Sequence, residues 1–117
     1  MNIEEFRDYC LTKKGVTEGF PFDETTLVFK VMGKMFAATG IENFNRVNLK
    51  CDPELAIELR EQFPEVQPGY HMSKKHWNSI YTDGSLSNDH IYEWIDMSYE
   101  LVVKGLTKKQ KLELEKI

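Results

Sequence analysis

The sequence lacks the features of membrane, secreted and disulfide-rich proteins. It has no apolar run near the ~20 residues that cross a bilayer. Its acidic, amphipathic start, MNIEEFRDYC, does not resemble a signal peptide. We therefore expect a cytoplasmic protein with no membrane partner. Only two cysteines are present, Cys10 and Cys51, without a CxxC pair, and we expect both to be reduced and buried.

Motifs of enzymes and metal sites are also missing. There is no G-x-S-x-G elbow, phosphate-cradling glycine loop, H-E-x-x-H helix or reactive-cysteine signature. His71 and His76, even with Cys51, lack the spacing of a metal site, and nearby carboxylate or thiol partners are missing. We therefore expect no catalytic residue, no metal and no cofactor. We interpret His71 as a hydrogen-bonded structural residue near the Pro68-Gly69 turn.

The charge is low overall but unevenly distributed. A chain of 117 residues fits one domain, residues 1–117, and its net charge of −4 is a poor match for nucleic acid. Residues 25–51 and 66–82 nevertheless sum to +5, which leaves −9 for the remainder. Because these two windows contain the predicted strands, an open sheet face could be positive on a negative protein.

Helix caps and loop residues divide the chain into elements. Asn2 and Glu5 form a capping box that starts a first helix. The segment after this helix, VTEGFPFDET, is predicted to be a loop, because Gly19 and Pro21 interrupt regular structure. Three further helices are predicted to start at the caps Asp52, Ser87 and Thr107.

A β-hairpin is the clearest local signal. Two β-rich runs flank Gly33-Lys34, which we predict to be a two-residue type II′ turn. That register pairs Val31 with Phe36 and Phe29 with Ala38, and these four side chains would share one face. The other face would carry Val28, Lys30, Met32, Met35 and Ala37.

Alternation continues in a third strand, RVNLKC. Its inward side chains are predicted to be Val47, Leu49 and Cys51, and its outward ones Arg46, Asn48 and Lys50. Two more strands are predicted in VQPGYHM and HWNSIYT. This order predicts a two-layer α+β fold, in which helices cover one face of a five-stranded antiparallel sheet.

The last strand leaves two interpretations open. A regular strand places Lys75, Trp77, Ser79 and Tyr81 on one face. If that face is open, the rings of Trp77 and Tyr81 could stack bases, a contact that contributes ~1–3 kcal/mol per base. If that face is covered by helices, both rings belong to the core, as is usual for large aromatic residues.

Several blocks of the sequence resemble the MmcQ/YjbR family of small bacterial proteins. They are Phe20-Pro21-Phe22, VFKVMGKMFA, VNLKCDPE, PGYHMSKKHWNSI and SYELVVKGL, in the family's order over nearly the whole chain. The resemblance implies a fold similar to type III secretion chaperones and frataxin-like (CyaY-like) proteins, αβββαββα, followed here by a short C-terminal helix. It also implies DNA binding through a "double wing" motif, with recurrent polar positions at Lys34, His71, Lys75, His76 and Trp77.

We therefore predict a non-catalytic binding protein whose leading ligand is a negatively charged polymer such as DNA. The predicted binding surface comprises Lys30, Lys34, Arg46, Lys50, Lys74, Lys75, His76 and Trp77. The alternative is a module that resembles secretion chaperones and holds a peptide or protein segment, with Met32 and Met35 as adaptable apolar contacts. We expect a monomer or a weak dimer.

Overall fold

Four helices and six strands follow one another in the order αββββαββαα. The computed structural model describes all of residues 1–117. The helices are α1 Ile3–Leu11, α2 Pro53–Gln62, α3 Asn88–Lys104 and α4 Lys108–Glu115. The strands are β1 Val16–Gly19, β2 Thr26–Val31, β3 Lys34–Gly40, β4 Arg46–Lys50, β5 Val66–Pro68 and β6 Trp77–Tyr81.

The strands form one antiparallel sheet in the order β1-β2-β3-β4-β6-β5. One side of this sheet packs against the helices in a single hydrophobic cluster. That cluster joins Phe6 of α1, Leu59 of α2, Trp94 of α3 and Leu114 of α4 to buried strand residues. The predicted α+β architecture with helices on one face is therefore confirmed.

The prediction of five strands is wrong, because β1 lies in the segment predicted to be a loop. β1 pairs with β2 from Val16 opposite Val31 to Gly19 opposite Val28. An edge strand needs only one neighbour, and Gly19 ends the strand instead of preventing it. A salt bridge between Arg7 and Glu18, with a shortest N–O distance of 2.6 Å, also ties β1 to α1. The predicted order αβββαββα thus lacks one strand after the first helix.

The hairpin between β2 and β3 turns one residue earlier than predicted. Its loop is Met32-Gly33, with φ angles of 50° and 78°, and Val31 pairs with Lys34. Two left-handed residues define a type I′ turn, whose twist matches that of the flanking strands. The predicted type II′ turn and the pairing of Val31 with Phe36 are therefore wrong.

A β-bulge corrects the predicted faces of β3. The register shifts after Phe29, which pairs with Ala37, and leaves Phe36 as an extra residue in the strand. Phe36 and Ala37 consequently both belong to the core cluster, although strict alternation would allow only one of them. The predicted pairing of Phe29 with Ala38 is wrong by one residue for this reason.

The core side of β4 follows the predicted alternation. Val47 and Leu49 are buried in the hydrophobic cluster, and Cys51 packs against its edge. Both cysteines are free thiols, but only Cys10 is fully buried, whereas Cys51 is half-buried because β4 ends beside it. None of the four helices is both long and apolar enough to cross a membrane.

Candidate binding cleft on the open sheet face

The open face is the side of the sheet that points away from the helices. Directly paired residues of antiparallel strands project to the same side, so the register identifies its members. The side chains on this face are Thr17, Thr26, Val28, Lys30, Met35, Ala38, Arg46, Asn48, Lys50, Gln67, Trp77, Ser79 and Tyr81. They include three cations and no acid, so the face is basic on a chain with a net charge of −4.

A first loop, residues 20–25, covers the β1–β2 side of the open face. Val28 is only 1% exposed, although it lies outside the helix-side core cluster. The carboxylate of Asp23 holds the loop, because it accepts hydrogen bonds from the N–H groups of Thr25 at 2.9 Å and Thr26 at 2.6 Å. These backbone hydrogen bonds also lower the pKa of Asp23.

A second loop, residues 69–76, covers β6 and is fastened from below by Arg60 of α2. Arg60 Nε donates to Asn78 Oδ1 at 2.7 Å. Its Nη2 donates to the backbone carbonyls of Lys74 and Trp77, the latter at 3.3 Å. Lys74 Nζ in turn donates to the carbonyl of Gly69. The ammonium group of Lys74 therefore serves to close the loop.

Trp77 fits neither of the two interpretations left open by the sequence. It pairs with Lys50 and so projects to the open face, as does Tyr81 opposite Arg46. The 69–76 loop lies over it: Trp77 N–H donates to the carbonyl of Ser73 at 3.0 Å, and the ring-bearing residue is 7% exposed. Trp77 is thus buried under a loop instead of under the helices, and it offers no stacking surface.

A cleft of about 390 Å³ opens between the two loops. Its walls come from the first loop on one side and the second loop on the other, and its floor comes from β2, β3 and β4. The lining residues are Phe22, Asp23, Thr26, Met35, Ala38, Thr39, Gly40, Arg46, Asn48, Tyr70, His71 and Met72. The cleft is therefore partly apolar and partly polar.

Arg46 and Tyr70 meet in this cleft. Arg46 Cζ lies 4.0 Å from the centroid of the Tyr70 ring, which is a cation–π contact. Neither salt bridge of the chain involves Arg46, and the Arg46 guanidinium makes no hydrogen bond to the protein. The backbone N–H of Tyr70 donates to Ser79 Oγ at 2.8 Å and so fixes the position of Tyr70. Ser79 Oγ donates onward to Asn48 Oδ1 at 2.6 Å.

His71 lines the cleft in a left-handed backbone conformation, with φ of 57°. It is the third residue of a turn in which Met72 N–H donates to the carbonyl of Gly69 at 3.3 Å, as in a type II turn. Its ring lies edge-on to Tyr70, with 4.1 Å between ring centroids. The imidazole is exposed and makes no hydrogen bond to the protein, so the interpretation of His71 as a hydrogen-bonded structural residue is wrong.

The structure does not gather the predicted binding residues into one patch. Lys30, Arg46 and Lys50 share the open face, but only Arg46 lines the cleft. Lys50 lies four residues farther along β4, about 13 Å away. Lys30 lies on β2 beside Phe20.

The other predicted residues lie elsewhere. Lys34 pairs with Val31 at the hairpin tip and therefore projects toward the helix side. Lys75 and His76 are exposed on the second loop outside the cleft lining, and the carbonyl of His76 accepts from Cys51 N–H at 2.8 Å. Lys74 closes the loop and Trp77 is buried beneath it, so Lys74 and Trp77 also lie outside the cleft.

Sequence reasoning missed most of the cleft lining. The cleft brings together residues from two loops almost fifty positions apart, including Phe22 and Tyr70. Their only sequence signal was their presence in the blocks that resemble the MmcQ/YjbR family. No group of three His, Cys, Asp or Glu residues in the chain lies close enough to hold a metal ion.

The fold and the cleft define the class of protein: a small two-layer α+β domain whose antiparallel sheet is open on one face. The chain belongs to the YjbR family, whose model matches residues 11–101. It is 38% identical over 112 residues to YjbR of Escherichia coli K12, which covers 95% of both chains. It is 35% identical over 75 residues to YyaQ of Bacillus subtilis, covering 64% of this chain and 63% of that protein.

Solved structures agree with this membership. The crystal structure of Deinococcus radiodurans protein DR2400, a DUF419 domain, superimposes with a TM-score of 0.90 at 40% identity, covering 97% of this chain and 88% of that one. The crystal structure of a protein from Pseudomonas syringae superimposes with a TM-score of 0.72 at 29% identity, covering 86% of this chain and 98% of that one. The two named relatives are described as uncharacterized proteins, so these similarities show family and fold and no activity.

Proposed function

We propose that the protein is a non-catalytic binding protein that takes an anionic polymer, single-stranded DNA, on the open face of its sheet. The charge of that face carries the proposal: Lys30, Arg46 and Lys50 project from it, and no acid does. The two salt bridges of the chain instead join Arg7 to Glu18 and Lys13 to Asp96. The three cations are therefore free to neutralise phosphates.

Exposed rings beside these cations favour a single strand over a duplex. Tyr70 is 48% exposed and Phe22 is 67% exposed, and both line the cleft next to Arg46. Unpaired bases stack on such rings, whereas bases in a duplex are already stacked on each other. No helix lies on the open face to enter a major groove, and α3 carries four acids, Asp89, Glu93, Asp96 and Glu100.

Fluorescence anisotropy of labelled single- and double-stranded DNA at two salt concentrations tests this proposal. We expect micromolar binding of the single strand that weakens steeply as salt rises. A triple variant, Lys30→Gln, Arg46→Gln and Lys50→Gln, should lose the binding. The matched control is Lys108→Gln, Lys109→Gln and Lys111→Gln on α4, which removes the same charge from exposed positions on the helix side.

The control separates a binding face from a general charge effect. If both triple variants lose binding equally, the open face has no special role and the proposal fails. If neither form of DNA binds the unaltered protein at low salt, polymer binding is rejected.

A peptide segment is the second candidate ligand, favoured by the apolar part of the same cleft. Met35 and Met72 line it beside the exposed ring of Phe22, and methionine adapts well to varied apolar partners. The other methionine predicted for this role, Met32, lies in the hairpin turn and packs against the helix-side core. Binding of an apolar peptide would persist at high salt, unlike binding of DNA.

A further inference from the structure

We propose that the cleft is a discrete binding site for one small organic anion, a carboxylate or phosphate group attached to a planar apolar body. This goes beyond polymer binding across the whole face, because it needs only the residues between the two loops. It holds whether or not DNA binds.

Three residues that line the cleft carry polar side-chain groups that suit an oxyanion. The guanidinium of Arg46, the imidazole of His71 and the hydroxyl of Tyr70 make no hydrogen bond to the protein, although all three residues line the cleft. A guanidinium presents parallel N–H donors that match the two oxygens of a carboxylate or phosphate. The Arg46 guanidinium is already oriented by the Tyr70 ring at 4.0 Å.

The acid in the cleft does not neutralise this arginine. Asp23 is the only carboxylate in the lining. Its oxygens accept hydrogen bonds from the N–H groups of Thr25 and Thr26 and from the Thr26 hydroxyl, the last at 3.1 Å. It forms no salt bridge with Arg46. The positive charge of Arg46 is therefore available to a ligand.

The remaining lining suits a planar apolar body. Phe22, Met35, Ala38 and Met72 supply apolar surface around the polar groups. The volume of about 390 Å³ falls within the range of pockets that hold small molecules, roughly 300–1,000 Å³. A free inorganic ion would leave most of this surface in contact with water. We therefore expect the ligand to carry both an anionic group and a planar apolar body.

The wall of the cleft is held in place without a ligand. Ser79 links Tyr70 to Asn48 through hydrogen bonds of 2.8 Å and 2.6 Å, and Arg60 anchors the loop from the other side. A site built in this way loses little conformational entropy when it binds. The left-handed conformation of His71 costs ~1–2 kcal/mol in backbone energy, and such strain is found preferentially at ligand sites.

An NMR titration of the full chain tests the site. The probes are adenosine 5′-monophosphate and indole-3-carboxylate, and the controls are adenosine and indole, which have the same planar bodies without the charge. We expect at least one anion to bind with a Kd of ~1 mM or below. The gain in affinity of each anion over its own uncharged control shows whether the cleft prefers a phosphate or a carboxylate. Shifted amides should cluster at residues 22–23, 46–48 and 70–72.

A pair of variants on one strand assigns the effect to the cleft. Arg46→Gln should weaken anion binding at least ~10-fold, which corresponds to ~1.4 kcal/mol. Lys50→Gln removes the same charge from the same face of β4 but outside the cleft, and it should change the Kd less than ~2-fold. Because the Arg46 side chain makes no hydrogen bond and contacts the ring of Tyr70, the Arg46→Gln spectrum should match that of the unaltered protein except at amides beside these two residues.

Three outcomes would overturn the proposal. The first is that neither anion shifts the cleft amides at ~10 mM. The second is that the uncharged controls bind as tightly as the anions. The third is that Lys50→Gln weakens anion binding as much as Arg46→Gln does. Failure of the cleft site can be distinguished from failure of the polymer proposal, because DNA binding depends on Lys50 as well as on Arg46. A protein that binds the small anion but no DNA retains the cleft site and loses only the polymer proposal.

Discussion

The buried hydroxyl of Ser98 donates a hydrogen bond to the backbone carbonyl of Phe36 at 2.5 Å. The same oxygen accepts from the N–H of Lys50 at 2.9 Å. Phe36 is the extra residue of the bulge in β3, and a bulge leaves such a residue outside the strand ladder. Ser98, fully buried on α3, therefore supplies the polar partner that the sheet lacks at this point. It also fixes α3 against both β3 and β4.

We predict that Ser98→Ala lowers the free energy of unfolding by about 1–3 kcal/mol, because it leaves a buried carbonyl and a buried N–H unsatisfied. Urea unfolding followed by circular dichroism measures the change. Ser73→Ala is the control, since Ser73 is exposed and surface changes of this kind stay within about 0.5 kcal/mol. A Ser98→Ala effect as small as that of the control would contradict the assigned role.

Replacement of Arg60 should loosen the loop that walls the cleft. Arg60→Ala removes the hydrogen bonds to Asn78 and to the carbonyls of Lys74 and Trp77. We expect faster hydrogen exchange of the Gly69 and Trp77 amides and a loss of about 1.5–3 kcal/mol in unfolding free energy, as is usual for hydrogen bonds to a charged group.

Arg7→Ala provides the comparison for Arg60. Its partner Glu18 lies on β1 at the opposite edge of the sheet, and both side chains are partly exposed, so its removal should cost about 0–1 kcal/mol. Exchange in the 69–77 segment should stay unchanged in Arg7→Ala. If Arg60→Ala leaves that exchange unchanged as well, Arg60 does not hold the loop.

His71→Gly should stabilise the protein and weaken its cleft. Glycine adopts a positive φ without steric cost, so we expect the free energy of unfolding to stay level or rise by up to about 1 kcal/mol. Loss of the imidazole should simultaneously reduce the affinity for the anionic probes. Ser73→Gly, at a position without a positive φ, should instead destabilise. Equal losses of stability in both variants would show that His71 is not strained.

The cysteines should resist thiol reagents in the folded protein. Burial, and then the neighbouring carboxylate of Asp52, raise the pKa of Cys51 to about 11, and burial raises the pKa of Cys10 as well. Only the thiolate reacts, so we expect slow labelling by a disulfide reagent at pH 8 and rapid labelling of both thiols in urea. Labelling of native Cys51 with a midpoint near pH 9, the value of an unperturbed thiol, would contradict the raised pKa.

Because the pKa of Cys51 is raised, the free energy of unfolding should fall at alkaline pH. The folded state holds the proton on Cys51 more tightly than the unfolded state, whose thiol has a pKa near 9. The contribution of the Cys51 thiol to the free energy of unfolding is therefore complete below pH 9 and declines as the pH rises toward 11. Cys51→Ser should show a smaller decline over this interval in urea unfolding. An equal decline would assign the alkaline loss to other groups.

Local signals predict most of the fold because they act over a few residues. The capping boxes of Asn2 with Glu5 and of Thr107 with Gln110 are both present in the structure. The alternation in β4 likewise places Val47 and Leu49 in the core. Errors arise where a strand is defined by its neighbour, as in β1, or where the register shifts by one residue, as at Phe36.

The sequence by itself determined the helix starts, the presence of a hairpin and the three cations of the open face, since capping and alternation are properties of neighbouring residues. Only the tertiary structure decided that Trp77 lies under a loop, that Lys74 closes that loop, and that Arg46 meets Tyr70. The pairing of β4 with β6 and the anchoring of the second loop by Arg60 set these positions. Such contacts join distant parts of the chain, and no short-range pattern specifies them.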